Sequence, residues 1–170
     1  ANQIVFNLNT KKDSITEKPS VNEKPQPVFI IDYENIDNND FLIVNQMKYH
    51  GTNRNSIPDI VVYVNGLPLS VIEAKSPKVS IADAISDLSY YQENSPKLFY
   101  YNQICVGINK AKALYGTIGS QFAHYSKYRL DDTSKLEELL EKTPTAQDSL
   151  IYALFRKDKL LDIIRNFTIF

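Results

Sequence analysis

A chain of 170 residues is long enough to bury one core and short enough that a single domain is the simplest expectation. Its 43% hydrophobic and 23% charged residues are ordinary for a globular protein, no apolar run nears the ~18–20 residues needed to span a bilayer, and Cys105 is the single cysteine; this excludes a disulfide framework or Cys-rich zinc site and favours a reducing, cytoplasmic home. The net charge of −1 gives no bulk support for a nucleic-acid partner, so any DNA binding must come from a local patch or from a part of the protein outside this chain.

Residues 1–10 lack the basic start and apolar stretch of a secretion signal. Residues 9–27, polar and carrying Pro19, Pro25 and Pro27, read as a loop. Val28–Ile31 and Phe41–Val44 read as strands, parted by an Asn- and Asp-rich turn over 32–40, and His50–Ser56 is another polar loop. Ile60–Val64 is a β-branched run, Asn65-Gly66 is a strong hairpin-turn signal, and Pro68–Ile72 returns as a second strand. Together they predict a hairpin over 58–75. Ile81, Ala84, Ile85, Leu88 and Tyr91 recur at helical spacing and predict a helix over 80–92, with Ser80 as cap and Asp83 as a shortened capping box. Ile104–Ile108 reads as a strand, with Ala113–Ile118 as its partner across Asn109-Lys110. A short helix is expected over Ser134–Glu141 and one or two more over Ser149–Arg165, where Leu150, Leu154, Leu160, Leu161 and Ile164 are apolar. This order predicts a mixed α/β (α+β) fold, a mixed β-sheet flanked by helices.

Asp59, Glu73 and Lys75 stand at one end of the otherwise apolar hairpin, where a charge beside a core is costly without a partner or a task. A three-residue loop, Asn65-Gly66-Leu67, would set Val64 opposite Pro68 and therefore Asp59 opposite Glu73 on one face. Lys75, two residues beyond Glu73, shares that face. A two-residue loop would set Asp59 opposite Ile72 and spoil the cluster. Opposed carboxylates repel each other, a bridging divalent cation removes the penalty, and oxygen ligands suit Mg2+. Such a cation polarises a phosphoryl oxygen, and Lys75 is the group to position water or stabilise charge developing on the phosphate. The set suits phosphodiester hydrolysis; the competing reading is a solvated rim with a surface ion pair.

His50 and His124 each stand alone and read as surface or structural histidines, and Cys105 in its apolar strand reads as core. Arg156, Lys157, Lys159 and Arg165 alternate with Asp158 and Asp162 as on a solvated helix face, the alternative being a DNA-facing stripe. Among the tyrosines, Tyr91 is the one expected to meet DNA, with Tyr90, Tyr100 and Tyr101 as packing. Lys110 and Lys112 lie on a turn, and the sequence does not decide whether they meet phosphates.

The stretch Ile57-Pro58-Asp59-Ile60-Val61-Val62-Tyr63-Val64-Asn65-Gly66-Leu67-Pro68-Leu69-Ser70-Val71-Ile72-Glu73-Ala74-Lys75-Ser76-Pro77 closely resembles the nuclease motif of the restriction (R, or HsdR) subunit of type I restriction-modification enzymes, a PD-(D/E)xK site. Ile31–Asn35 with Asn39–Phe41, Leu98–Asn102 and Leu160–Phe167 resemble neighbouring family segments, so the likeness runs over residues 28–170. The resemblance implies a restriction-endonuclease-like core over residues 1–130 and a helical segment over 131–170 leading toward an ATP-driven motor. It implies that Asp59, Glu73 and the Ala74 carbonyl hold Mg2+, with Mn2+ as a substitute, and that Lys75 is catalytic. The whole subunit would be a type I site-specific deoxyribonuclease that translocates and cuts double-stranded DNA, using ATP in complex with modification and specificity subunits.

Three departures stand out. The family's Gln-x-x-x-Tyr pattern falls on Asp87 and Tyr91, which the resemblance implies are auxiliary, DNA-positioning residues; Asp87 can hold a water or meet a base step but cannot donate hydrogen bonds to DNA as an amide can. The family's preceding helix, often with an acidic residue near the metal, has no convincing counterpart around Glu17 or Glu23. No Gly-x-x-x-x-Gly-Lys-Ser/Thr loop is present, so ATP is expected to belong to the full-length subunit and this chain to be a fragment of it. Beside the Mg2+-dependent endonuclease, two readings remain: an inactive docking or DNA-sensing module on a nuclease fold, and a stand-alone nuclease for DNA junctions or ends.

Overall fold

The computed structural model describes residues 5–6, 28–52 and 54–167, so the loop expected over 9–27, with Glu17 and Glu23, lies outside the described residues. Two short strands, β1 (Val5–Phe6) and β2 (Val28–Phe29), pair with each other. The main sheet comprises β3 (Phe41–Asn45), β4 (Ile60–Val64), β5 (Leu67–Ala74), β6 (Ile104–Asn109) and β7 (Lys112–Gly116), which lie side by side in chain order. β5 and β6 run parallel and every other pairing is antiparallel, so the sheet is mixed. Every residue of β6 is buried, as are five of the eight in β5, which explains why both read as nearly continuous apolar runs.

A parallel pair needs a crossover, and α1 (Ile81–Asn94) with the short α2 (Pro96–Phe99) supplies it. Ser80 caps α1 by accepting from the Ala82 N–H at 3.2 Å. Asp83 does not close the expected box; its N–H bonds the Ser80 carbonyl. α1 packs Ile81, Ala84, Ile85 and Leu88 on one sheet face against Val61, Val71 and Cys105. Gly107 permits the close approach, since a Cβ there would stand 3.3 Å from Ala84 Cβ and Ile85 Cγ1.

The other face carries α4 (Ala146–Leu154) and α5 (Lys157–Asn166), after the short α3 (Ser134–Leu140). Leu150, Leu154, Leu160, Leu161 and Ile164 join Val62, Val64, Ile72, Val106 and Ile108 in a second apolar cluster. α4 begins earlier than its apolar spacing suggested because Thr145 and Asp148 form a capping box. The result is a three-layer α/β/α arrangement around a mixed sheet.

The hairpin corrects one expectation. The turn has two residues, Asn65 and Gly66, both at positive φ (50° and 80°), and Val64 faces Leu67. By itself that register would carry Asp59 away from Glu73. A bulge intervenes: Tyr63 faces Pro68 but Val62 faces Ser70, which leaves Leu69 as the extra residue. Beyond it Ile60 faces Ile72, and one further step sets Asp59 across from Glu73. The Asn65 side chain fastens the turn by accepting from the Asp40 N–H (2.7 Å) and donating to the Ile30 carbonyl (2.6 Å) and Asn39 Oδ1 (2.8 Å).

Candidate active site

Asp59 enters from the start of β4, Glu73 from the end of β5, Lys75 from just beyond it, and Asp87 and Tyr91 from α1. Side chains alternate along a strand, so residues 71, 73 and 75 point to the α1 face. Asp87 and Tyr91 are one helical turn apart and therefore meet them. Asp59 Oδ2 accepts the Ala74 N–H at 2.8 Å, which ties the carboxylate to the neighbouring strand. Lys75 Nζ donates to Glu73 Oε1 at 2.7 Å and also to Asp87 Oδ2. The Tyr91 hydroxyl donates to the Ile57 carbonyl at 3.4 Å.

Glu73 is 4% exposed, and its Oε2 is buried with no hydrogen-bond partner. Burial, with repulsion from Asp59 and Asp87, pushes its carboxyl above the ordinary value against the pull of Lys75. Burial works to depress the Lys75 pKa, but the hydrogen bonds to Asp87 and Glu73 outweigh it and hold the ammonium above the usual lysine range. Burial and the neighbouring Glu73 and Asp87 charges raise the Tyr91 phenol, which stays protonated.

A buried carboxylate oxygen without a donor, facing a second carboxylate, is electrostatically costly, and a cation between them would relieve that cost. Among the described residues no three His, Cys, Asp or Glu side chains gather as a metal-holding group. The oxygens brought together are the Asp59 and Glu73 carboxylates, hard donors of the kind that could hold Mg2+ or Mn2+ completed by water and substrate. A cavity of about 530 Å3 lies elsewhere, between the start of β6, the end of β7 and the helices α4 and α5. It contains none of these residues.

The other polar candidates lie apart from the cluster. His50 and His124 are exposed, and Cys105 is fully buried beside Asn102. Arg156 pairs with Asp158 and stacks on Tyr152, Lys157 lies over Phe41, and Arg165 reaches Glu34 and Tyr33. Lys110 is exposed on the β6–β7 turn and Lys112 is exposed at the start of β7. Sequence reasoning missed that Asp87 is a partner of Lys75. The signal was present: Asp87 stands between Ala84 and Leu88 of the buried stripe, at the edge that faces the strand ends.

A mixed sheet between helices, with an Asp and a Glu-x-Lys drawn together at one end of a hairpin, is a restriction-endonuclease-like α/β architecture. The chain belongs to the family described as type I restriction enzyme R protein N terminus, whose profile matches residues 1–124. It is 29% identical over 170 residues to a putative type I restriction enzyme MjaIXP endonuclease subunit of Methanocaldococcus jannaschii, covering 89% of this chain and 16% of the relative. The type I restriction enzyme HindI endonuclease subunit of Haemophilus influenzae is 32% identical over 152 residues, 87% of this chain and 14% of the relative. The EcoprrI endonuclease subunit of Escherichia coli is 28% identical over 160 residues, 85% of this chain and 46% of the relative. The chain thus spans only a small part of the first two relatives. Among the described residues no helix is long and apolar enough to cross a membrane.

Proposed function

We propose that this chain is the Mg2+-dependent nuclease module of a type I restriction enzyme R subunit and hydrolyses phosphodiester bonds of double-stranded DNA. The observation that carries this reading is the buried Glu73 carboxylate, whose Oε2 lacks a partner while Asp59 faces it and Lys75 holds its other oxygen. Asp59, Glu73 and the Ala74 carbonyl would hold the cation. Bound there, it supplies Lewis-acid polarisation of the scissile phosphate.

The remaining work falls to the protein's own groups. Asp59 is held toward the site by the Ala74 N–H. Lys75 has an ammonium N–H to offer the attacking water or the phosphate oxygen that gains charge. Tyr91, kept protonated, supplies a hydroxyl at the rim. In the whole subunit, residues 1–130 would form the nuclease core and 131–170 the helical lead to an ATP-driven motor. Modification and specificity subunits would complete the complex.

The test is a calorimetric Mn2+ titration of the chain beside Asp59→Asn and Glu73→Gln, paired with cleavage by the assembled complex. Saturable binding lost in both variants, with cleavage abolished in Lys75→Ala, is the expected result. An intact chain that folds and binds DNA, yet neither takes up Mn2+ with DNA present nor needs Lys75 for restriction, would instead be a docking or DNA-sensing module.

A further inference from the structure

We propose that Asp87 is a positioning residue for Lys75: with Glu73 it fixes two of the three ammonium protons and leaves the third for the attacking water or the phosphate. This rests on the nuclease reading above and deepens it.

A lysine side chain is a flexible stem bearing a compact charge with three donors, and holding it in one rotamer costs side-chain entropy. Glu73 alone is a poor anchor. It lies two residues away on the same strand, and its carboxylate is also wanted for the cation. Asp87 supplies a second anchor from a different element, so the ammonium is fixed between α1 and β5. α1 is a firm base, because Ala84, Ile85 and Leu88 are buried against the sheet and Gly107 lets β6 approach closely. Asp87 also shares the ammonium's charge with Glu73, so Glu73 keeps charge to offer a cation.

Two alternative roles fit less well. A carboxylate has no donor for DNA, and phosphates repel it, so Asp87 is unsuited to the DNA contact an amide could make. The Asp87 side chain is 42% exposed, and an ion pair of that exposure contributes little stability. Its value lies in where it holds Lys75.

The experiment compares Asp87→Ala, Asp87→Glu, Lys75→Ala and the Asp87→Ala/Lys75→Ala double variant in the assembled restriction complex, by single-turnover cleavage and DNA affinity. The Lys75 ammonium resonance is followed by NMR in the full chain. Asp87→Ala is expected to slow cleavage about 10- to 100-fold, the scale of a misplaced catalytic group, with DNA affinity unchanged. Asp87→Glu recovers most of the rate, and Asp87→Ala adds no further loss to Lys75→Ala. The ammonium resonance, slowed in exchange by its hydrogen bonds, disappears in Asp87→Ala and persists in Asp87→Glu. Normal cleavage in Asp87→Ala, a retained resonance, or a further loss in the Lys75→Ala background overturns the proposal while leaving the nuclease reading intact. Normal cleavage in Lys75→Ala overturns both.

Discussion

Replacing Glu73 with glutamine is expected to make the metal-free protein more stable. One carboxylate oxygen takes the Lys75 ammonium at 2.7 Å, the other is buried without a partner, and Asp59 repels the pair. A buried acceptor left unsatisfied costs about 1–3 kcal/mol. Glutamine keeps a carbonyl for Lys75 and offers an amide donor toward Asp59, but it gives up the charge assistance of the Lys75 bond, a loss of about 1 kcal/mol. The net gain is about 1 kcal/mol, or about 2–4 °C in Tm for a domain of this size. The effect has a definite pH dependence. The folded-state pKa of Glu73 is raised above 4.5, chiefly by burial. Its cost is therefore absent below the ordinary value, where the group is protonated in both states. The cost grows as pH rises through the interval up to the raised folded value, and is constant beyond. Melts in chelator should separate the two proteins at about pH 8 and not at about pH 4. Mn2+ should then reverse the order at pH 8. At 100 times Kd it stabilises the intact chain by about 2.7 kcal/mol, and Glu73→Gln by much less. A Glu73→Gln protein that melts lower than the parent in chelator at pH 8, or gains equally at both pH values, refutes the argument that Glu73 is a buried charge awaiting a cation.

Asn65→Ala removes three side-chain hydrogen bonds and puts alanine at φ 50°, so a loss of about 2–4 kcal/mol is expected, a fall of roughly 5–15 °C in Tm. Asn65→Gly should fall between the two, because it relieves the backbone but not the lost bonds. Gly107→Val forces a side chain against Ala84 and Ile85, costs about 1–3 kcal/mol, and moves α1 so that Asp87 leaves Lys75. Cleavage should then fall even at temperatures where circular dichroism shows the variant fully folded, and unchanged cleavage would separate the helix position from the chemistry. Burial pushes the Cys105 thiol up to about 12, so a thiol reagent at neutral pH should label it only at the rate of unfolding. Immediate stoichiometric labelling of the native chain would contradict the packing described for β6.

The elements with a strong period were legible in the sequence. The β-branched run before Asn65-Gly66 and the apolar stripe of α1 declare a hairpin and a helix, and both lie where expected. What stayed hidden depends on tertiary partners. Val5–Phe6 is a strand only because Val28–Phe29 pairs with it, and two residues carry no periodicity to read. Pro96–Phe99 forms one helical turn whose Leu98 and Phe99 are buried, a packing outcome rather than a propensity signal. Lys75's attachment to Asp87 joins groups twelve residues apart, and only the crossover of α1 onto β5 brings them together. The basic residues of α5 could be read as a DNA stripe or a solvated face until their partners Asp158, Glu34 and the aromatic rings were in place.

The hairpin shows how a correct juxtaposition can follow from an incorrect local premise. Strand side chains have a period of two, so one residue of slip in register moves a whole set to the other face. Asn-Gly turns favour two-residue loops, and that preference wins here because both residues accept positive φ and the Asn65 side chain has three partners. An uninterrupted ladder from that turn would drive Glu73 and Lys75 toward Leu150, Leu160 and Ile164, where two charges have no partners. The cost of burying them there exceeds the cost of one broken ladder step. Pro68, which has no N–H to lose, makes that step cheaper at the adjoining residue. Leu69 absorbs the slip and still buries its side chain with the α4 and α5 cluster. The bulge is therefore the physical reason that a two-residue turn and a Glu-x-Lys facing Asp59 coexist in one hairpin. The burial pattern beyond the turn determines the register at the site, and the loop length does not.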